Sequence, residues 1–206
     1  MAVCRNITIS KGHTYSSEIR WETTPIVRVA ISAITRPLGS AVIATTTPHG
    51  LTDGWRVAIV NVAQPREINA DDPNNIKAGE YYPATVTGQK TVELNTLNIG
   101  DLRAYTTDGF IQYNTPVDLS GITLRFRLRY KKGGKILASN LVADAPLNIL
   151  VASTDVAANK ITIAFPSTAT ELLAGKTGWY DVEAVSADAT PVVTQLVYGK
   201  VTVEKE

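Results

Sequence analysis

The feature that most constrains this fold is an alternation of apolar and basic residues. Eight consecutive residues take part in it: Leu124, Arg125, Phe126, Arg127, Leu128, Arg129, Tyr130 and Lys131. Successive side chains of a β-strand point to opposite faces, so the pattern predicts a strand with one buried and one solvated side. Residues 132–135 contain two glycines and predict a hairpin turn that leads to Ile136 and Leu137.

Other segments of β-branched and aromatic residues lie in both halves of the chain and also favour strands. They are residues 55–62, 81–87, 91–97, 161–165, 180–184 and 196–203. Only one stretch favours a helix, where Thr168 and Glu171 fit a capping box and Gly175 suits a helix end. The sequence therefore predicts an all-β protein with one short helix. A sheet of this size must bury one face, which requires a sandwich or a barrel.

Composition narrows the classes of partner. Of the 206 residues, 44% are hydrophobic, and 20 basic residues nearly balance 19 acidic ones, for a formal charge of +1. Because each phosphate contact needs a cation, nucleic acid is not an expected partner. Cys4 is the only cysteine, which excludes an internal disulfide and a multi-thiolate zinc site. Neither an apolar signal segment nor a run of about 20 apolar residues is visible, so no membrane partner is expected.

Patterns typical of enzymes are incomplete in this chain. Gly175-Lys176-Thr177 resembles the end of a phosphate-binding loop, but Thr170 stands where that loop needs a glycine. The only histidines are His13 and His49, and no Gly-x-Ser-x-Gly sequence is present. We expect His49, within a Pro-His-Gly-Leu turn, to bind local backbone groups rather than to act as a general base.

The polar loop at residues 64–80 is the candidate for a metal site. It contains Asp71, Asp72, Asn74 and Asn75, but Pro73 interrupts the run and the calcium-loop order is absent. We expect a solvated loop. No cofactor, no metal and no catalytic residue is predicted, and the chain is expected not to be an enzyme.

The basic stripe formed by Arg125, Arg127, Arg129 and Lys131 is the candidate interface. One interpretation is a solvated strand face. The other is a contact with an acidic neighbour in an assembly, where arginine is favoured.

Two stretches carry a resemblance to known modules. Residues 115–129 read TPVDLSGITLRFRLR and resemble the signature of bacteriophage tail and baseplate modules with an immunoglobulin-like β-sandwich. The opening at 7–15, the Trp21 strand end and the segments 160–163, 170–173, 178–183 and 199–203 fit the same pattern. Residues 44–57 read ATTTPHGLTDGWRV and, with 34–36, 81–94 and 104–110, resemble a small "His-Gly-Leu" β-barrel of phage tail and fibre proteins.

Together these resemblances imply an organisation and a function. The sandwich pattern runs directly from its Trp strand into Pro-Val-Asp-Leu-Ser-Gly, so the barrel is expected as an insertion. We predict a host domain at 1–24 with 114–206 and an inserted domain at 25–113. The resemblance implies a structural protein of the phage tail, made in the bacterial cytoplasm and carried in the virion, that connects fibres, spikes or baseplate parts. Its partners would be other tail proteins and copies of itself.

Alternatives and further contact candidates remain open at this level. The second hypothesis is a receptor- or glycan-binding module, with Tyr81, Tyr82 and Tyr105 as its aromatic residues. The third is a hydrolase that depends on His49. Both chain ends, through Arg5 and through residues 204–206, are candidate contacts for neighbouring proteins.

Overall fold

The computed structural model of the chain describes residues 2–144 and 147–205. It divides into two compact units, residues 1–21 with 117–206 and residues 22–116, which we call the host unit and the inserted unit. The junctions therefore lie at 21/22 and 116/117, where the sequence predicted 24/25 and 113/114.

The described residues form seventeen strands and one α-helix, with short 3₁₀ turns at Pro37–Gly39, Arg66–Ile68 and Ala78–Glu80. In chain order they are β1 (Val3–Cys4), β2 (Ile7–Ile9), β3 (Tyr15–Ile19), β4 (Glu22–Thr35), β5 (Ser40–Thr45), β6 (Arg56–Val60), β7 (Tyr82–Pro83), β8 (Thr85–Gly88), β9 (Thr91–Asn98), β10 (Phe110–Pro116), β11 (Thr123–Arg129), β12 (Ile136–Ser139), β13 (Leu147–Asn148), β14 (Val151–Asp155), β15 (Lys160–Phe165), α1 (Ser167–Leu172), β16 (Thr177–Val185) and β17 (Val193–Val203).

The host unit is a sandwich of two sheets. The larger sheet has the order β1-β17-β16-β11-β12-β13, and β2 continues along the same edge of β17 as β1. The smaller sheet has the order β14-β15-β3. The N-terminal segment thus contributes to both sheets, because β2 runs parallel to β17 whereas β3 pairs antiparallel with β15.

Three aromatic rings join the two sheets of the sandwich. The ring centroids of Phe126 on β11 and Phe165 on β15 lie 5.0 Å apart at an interplanar angle of 84°. Tyr180 on β16 meets both rings edge to face, at 6.1 and 6.4 Å. All three side chains are buried among the aliphatic residues of one core. Edge-to-face packing adds about 0.5–1.5 kcal/mol per pair beyond the burial of apolar area.

The inserted unit is a seven-stranded sheet that curls into a nearly closed barrel. Its strand order is β7-β6-β10-β4-β5-β9-β8, and the strands at the two ends of this order are separated in sequence only by Ala84. The amide of Ala84 donates to the carbonyl of Trp55 at 2.7 Å, and the amide of Gly54 donates to the carbonyl of Ala84 at 2.7 Å. Trp55 is fully buried in the barrel core, together with Ile43 and Leu94.

The first and last strands of the inserted unit are hydrogen-bonded neighbours. β10 pairs antiparallel with β4 from Phe110↔Ala30 to Pro116↔Glu22. In the host unit, the amide of Val117 donates to the carbonyl of Trp21 at 3.0 Å. The chain consequently leaves the host unit and returns to it at adjacent backbone positions, a geometry that tolerates an insertion.

The predicted fold class is confirmed: the protein is all-β, with a sandwich, an inserted barrel-like sheet and one short helix.

Two local predictions are wrong. β11 ends at Arg129, so Tyr130 is 57% exposed rather than part of the core, and Lys131 lies beyond the strand. Helix α1 begins one residue after Pro166, with no side-chain cap, so Thr168 and Glu171 do not form a capping box. The hydroxyl of Thr170 instead lies within hydrogen-bond distance of two carbonyl oxygens, that of Ser167 at 2.8 Å and that of His13 at 3.0 Å.

We predict that Tyr180 links the stability of the host unit to alkaline pH. Its hydroxyl donates to the carbonyl of Arg5 at 2.7 Å, and burial raises its pKa to about 12. Since an unfolded tyrosine ionises near about pH 10, this stabilisation is complete below that pH and is lost as the pH rises towards the folded value.

Replacing Tyr180 with phenylalanine should lower the free energy of unfolding by about 1 kcal/mol at pH 8. Denaturant titrations at several pH values would measure the gap to the wild type, which should narrow above about pH 10. Tyr130→Phe, at an exposed position, is the control. A gap that does not depend on pH would contradict the assignment.

Candidate functional site

The Pro-Val-Asp-Leu-Ser-Gly segment forms a turn that leads into β11. The carboxylate of Asp118 accepts hydrogen bonds from the backbone amide and the hydroxyl of Ser120, at 2.9 and 2.8 Å. These bonds, the backbone one first, lower the pKa of Asp118. Leu119 is buried in the sandwich core, and Gly121 has a φ of +72°, a conformation that favours glycine. The signature residues therefore have structural tasks in the host unit.

The basic stripe is largely neutralised by neighbouring carboxylates. The guanidinium of Arg127 contacts Asp144 at 2.7 Å and Glu183 at 3.1 Å, and that of Arg129 contacts Asp181 at 3.2 Å. The register places Arg125 directly across from Glu183. Lys131 is exposed beyond the strand end. Of the four predicted interface residues, the three arginines lie on one half-buried face and Lys131 does not.

Arg127 is the centre of this charged network. Burial alone would lower its pKa, but the hydrogen bond to Asp144 and the nearby carboxylates of Glu183 and Asp181 outweigh that effect, so the pKa lies above its ordinary value. Its side chain is only 15% exposed. The two ion pairs of Arg127 therefore link β11, β16 and the segment after β12.

His49 has a structural role in the inserted unit, where its ring contacts two backbone groups. The residue is 3% exposed. The backbone amide of Leu51 donates to Nδ1 at 3.0 Å, and Nε2 lies 2.8 Å from the carbonyl of Gly88. The neutral tautomer with its proton on Nε2 satisfies both contacts. The carbonyl of His49 also accepts a hydrogen bond from the hydroxyl of Tyr113. A cavity of about 620 Å³ adjoins this turn, but no carboxylate lies among its lining residues.

The other reactive candidates are dispersed. His13 is exposed, and its Nδ1 lies 3.1 Å from the carbonyl of Lys11. Asp71 pairs with Lys77 at 2.6 Å, which lowers the pKa of Asp71, and Asp72 accepts the amide of Asn74. Within residues 2–144 and 147–205, no three His, Cys, Asp or Glu side chains are grouped to hold a metal ion. Among the helices of these same residues, none has the length and apolar character needed to cross a membrane.

The three tyrosines proposed for glycan binding do not form one site. Tyr82 and Tyr105 pack against the main barrel core, whereas Tyr81 packs against a separate small cluster. The guanidinium of Arg56 lies 4.4 Å from the centroid of the Tyr81 ring and is held there by Glu22, with two hydrogen bonds of 2.6 Å. The bond to Glu22 raises the pKa of Arg56. These aromatic side chains stabilise the inserted unit.

The structure shows a different group of aromatic and polar side chains, which we call the sheet groove. It is a cavity of about 730 Å³ on the outer face of the larger host sheet. The side chains that define it belong to Arg129, Lys132, Trp179, Asp181, Glu183, Gln195 and Tyr198. The groove was not predicted from the sequence. The available signal was the alternation along β16, which puts Trp179, Asp181 and Glu183 on one face.

The chain ends are bound into the host unit. The guanidinium of Arg5 donates to the hydroxyl of Ser17 at 2.7 Å, and its amide donates to the carbonyl of Tyr198 at 2.8 Å. Gly199 permits this approach, because a Cβ atom there would lie 2.0 Å from the carbonyl oxygen of Arg5. At the other end, the amide of Glu204 donates to the carbonyl of Ile9 at 2.9 Å. Glu206, part of the predicted C-terminal contact, lies outside the described residues.

Comparisons of the sequence with protein-family profiles and with curated proteins find no match.

We predict that Arg127→Ala destabilises the host unit. The substitution leaves Asp144 and Glu183 half-buried without their shared partner, so the free energy of unfolding should fall by about 1–3 kcal/mol. Urea denaturation followed by circular dichroism would measure the change. Lys131→Ala is the matched control and should stay within about 0.5 kcal/mol of the wild type. Equal effects of the two substitutions would show that the ion pairs contribute nothing.

We also predict that His49→Ala destabilises the inserted unit. It removes the hydrogen bonds that the ring makes to the amide of Leu51 and the carbonyl of Gly88, which should cost about 2–4 kcal/mol. Hydrogen exchange should report faster opening of the barrel amides, while the host amides keep their protection. His13→Ala should leave both unchanged. Normal barrel protection in His49→Ala would contradict the structural role.

Proposed function

We propose that the chain is a non-enzymatic structural protein of a bacteriophage tail, which connects fibres, spikes or baseplate components. The observation that carries the proposal is the architecture of residues 116–121. The segment that resembles the tail-module signature begins at Pro116, the last residue of the inserted unit, and continues in the host unit as the turn that leads into β11. The residues that carry the resemblance therefore lie at the turn before β11, where Leu119 is buried in the host core.

The use of the charged and titratable side chains also supports a binding role. His49, Asp118, Arg127 and Arg129 are engaged in contacts that hold turns and strands together. General acid–base chemistry needs a group within reach of a substrate and free to exchange its proton. Protein assembly needs only stable surfaces, which two cores joined by paired strands supply.

The partners under this proposal are other tail proteins and copies of the same chain, within the virion. Ring-like assemblies present each surface several times around a symmetry axis, so modest contacts suffice for each copy. The exposed ammonium group of Lys131 and the half-buried Arg125 are the parts of the basic stripe for which the structure records no ion pair within residues 2–144 and 147–205. An acidic neighbour would bind at these two residues.

Mass photometry of the purified chain, alone and mixed with candidate tail proteins, tests the proposal. We expect a discrete oligomer or a defined complex with one tail protein, and peptides of the chain in purified virions by mass spectrometry. A monomer in every mixture, together with absence from virions, would overturn the assignment.

Charge removal tests the location of the contact. Arg125→Gln combined with Lys131→Gln should weaken the complex most at low ionic strength, where surface charges attract over longer distances. Lys176→Gln, at an exposed host position that is not part of the stripe, is the control. Equal complex formation by both variants would place the interface elsewhere.

A further inference from the structure

The sheet groove has two features of a ligand-binding site, half-buried aromatic side chains and a sufficient volume. Two aromatic side chains, Trp179 and Tyr198, are half-buried at the groove rather than in the sandwich core. The volume of about 730 Å³ falls within the range typical of small-molecule sites. Trp179 pairs in register with Arg129, and Tyr198 pairs with Asp181, so four neighbouring positions on three strands supply the lining.

Among the described residues that line the groove, the positive and negative charges balance. Arg129 and Lys132 contribute two cations to the lining, and Asp181 and Glu183 contribute two carboxylates. The guanidinium of Arg129 contacts Asp181, and the ammonium of Lys132 lies 5.9 Å from the centroid of the Tyr198 ring. A cationic peptide side chain would meet Arg129 and Lys132, and an anionic ligand would meet both carboxylates. The lining therefore favours a neutral ligand.

The polar groups of the groove favour a ligand with hydroxyl groups. The side chains of Asp181 and Glu183 line the groove and are 15% and 22% exposed, so a ligand in the groove can reach their carboxylates. Ionised carboxylates only accept hydrogen bonds, so they favour a ligand that donates. The amide of the exposed Gln195 offers both a donor and an acceptor. Ligand hydroxyl groups, which both donate and accept, match this mixture.

We propose that the sheet groove binds a neutral saccharide. One C–H face of a sugar ring would pack on Trp179 or Tyr198, and its hydroxyl groups would bind Asp181, Glu183 and Gln195. Aromatic rings supply a large, rigid apolar surface at low cost in conformational entropy, which suits such stacking. This inference concerns the host unit and stands independently of the proposed role in the tail.

An array of defined oligosaccharides tests the proposal. It should hold neutral, sialylated and sulfated sugars, with an arginine-rich peptide as a further probe, and isothermal titration would then give the Kd of each hit in solution. We expect binding of at least one neutral oligosaccharide. Absence of neutral binding, or binding of the charged sugars or the peptide alone, would overturn the proposal.

Variants locate the site. Trp179→Ala and Tyr198→Ala should each raise the Kd by about tenfold or more, because each removes a stacking surface. Gln195→Ala, at an exposed position outside the core, should raise the Kd severalfold and keeps the test valid if Trp179→Ala fails to fold. Tyr130→Ala removes an exposed aromatic residue outside the groove and should leave the Kd unchanged. Equal affinity in all four variants would overturn the assignment.

Discussion

The pairing of β4 with β10 is the constraint on which the rest of the architecture depends. Because the first and last strands of the inserted unit are neighbours from Glu22↔Pro116 onwards, the chain departs from the host unit and returns at one place. The host sandwich can then use residues from both ends of the sequence, such as Ile7 and Tyr180, in a single core. Two cores form in one chain, without an internal disulfide because Cys4 is its only cysteine.

The polar chemistry of the chain follows from this arrangement. Sheets with one solvated face need their charged residues compensated, and the cross-strand positions of β11 and β16 provide this by placing arginines opposite acids. Turns need their backbone groups satisfied, and Asp118 and His49 do this in the host and inserted units respectively. On the outer face of the same sheet, Trp179, Gln195 and Tyr198 line the sheet groove.

Local periodicity predicted the fold class, because a strand that is buried on one face has alternating apolar and polar residues. Phe126 and Leu128 were placed correctly for this reason. Tyr130 was misplaced because periodicity does not reveal where a strand ends. Contacts between distant segments could not be predicted from the sequence. No local pattern reveals that Arg127 contacts Asp144 and Glu183, or that Trp179 and Tyr198 line the same groove. The local role of His49 was predictable, because a Pro-His-Gly turn brings its ring near unpaired backbone groups.

The central claim is that two self-sufficient cores are joined through the paired ends of the inserted unit. Deleting residues 22–116 and joining Trp21 to Val117 through a short glycine–serine linker tests it most directly. A two-dimensional amide NMR spectrum of the resulting protein should show well-dispersed peaks for a folded sandwich, with cooperative thermal unfolding. Collapsed peaks typical of an unfolded chain would show that the host core requires the inserted unit, which contradicts the account.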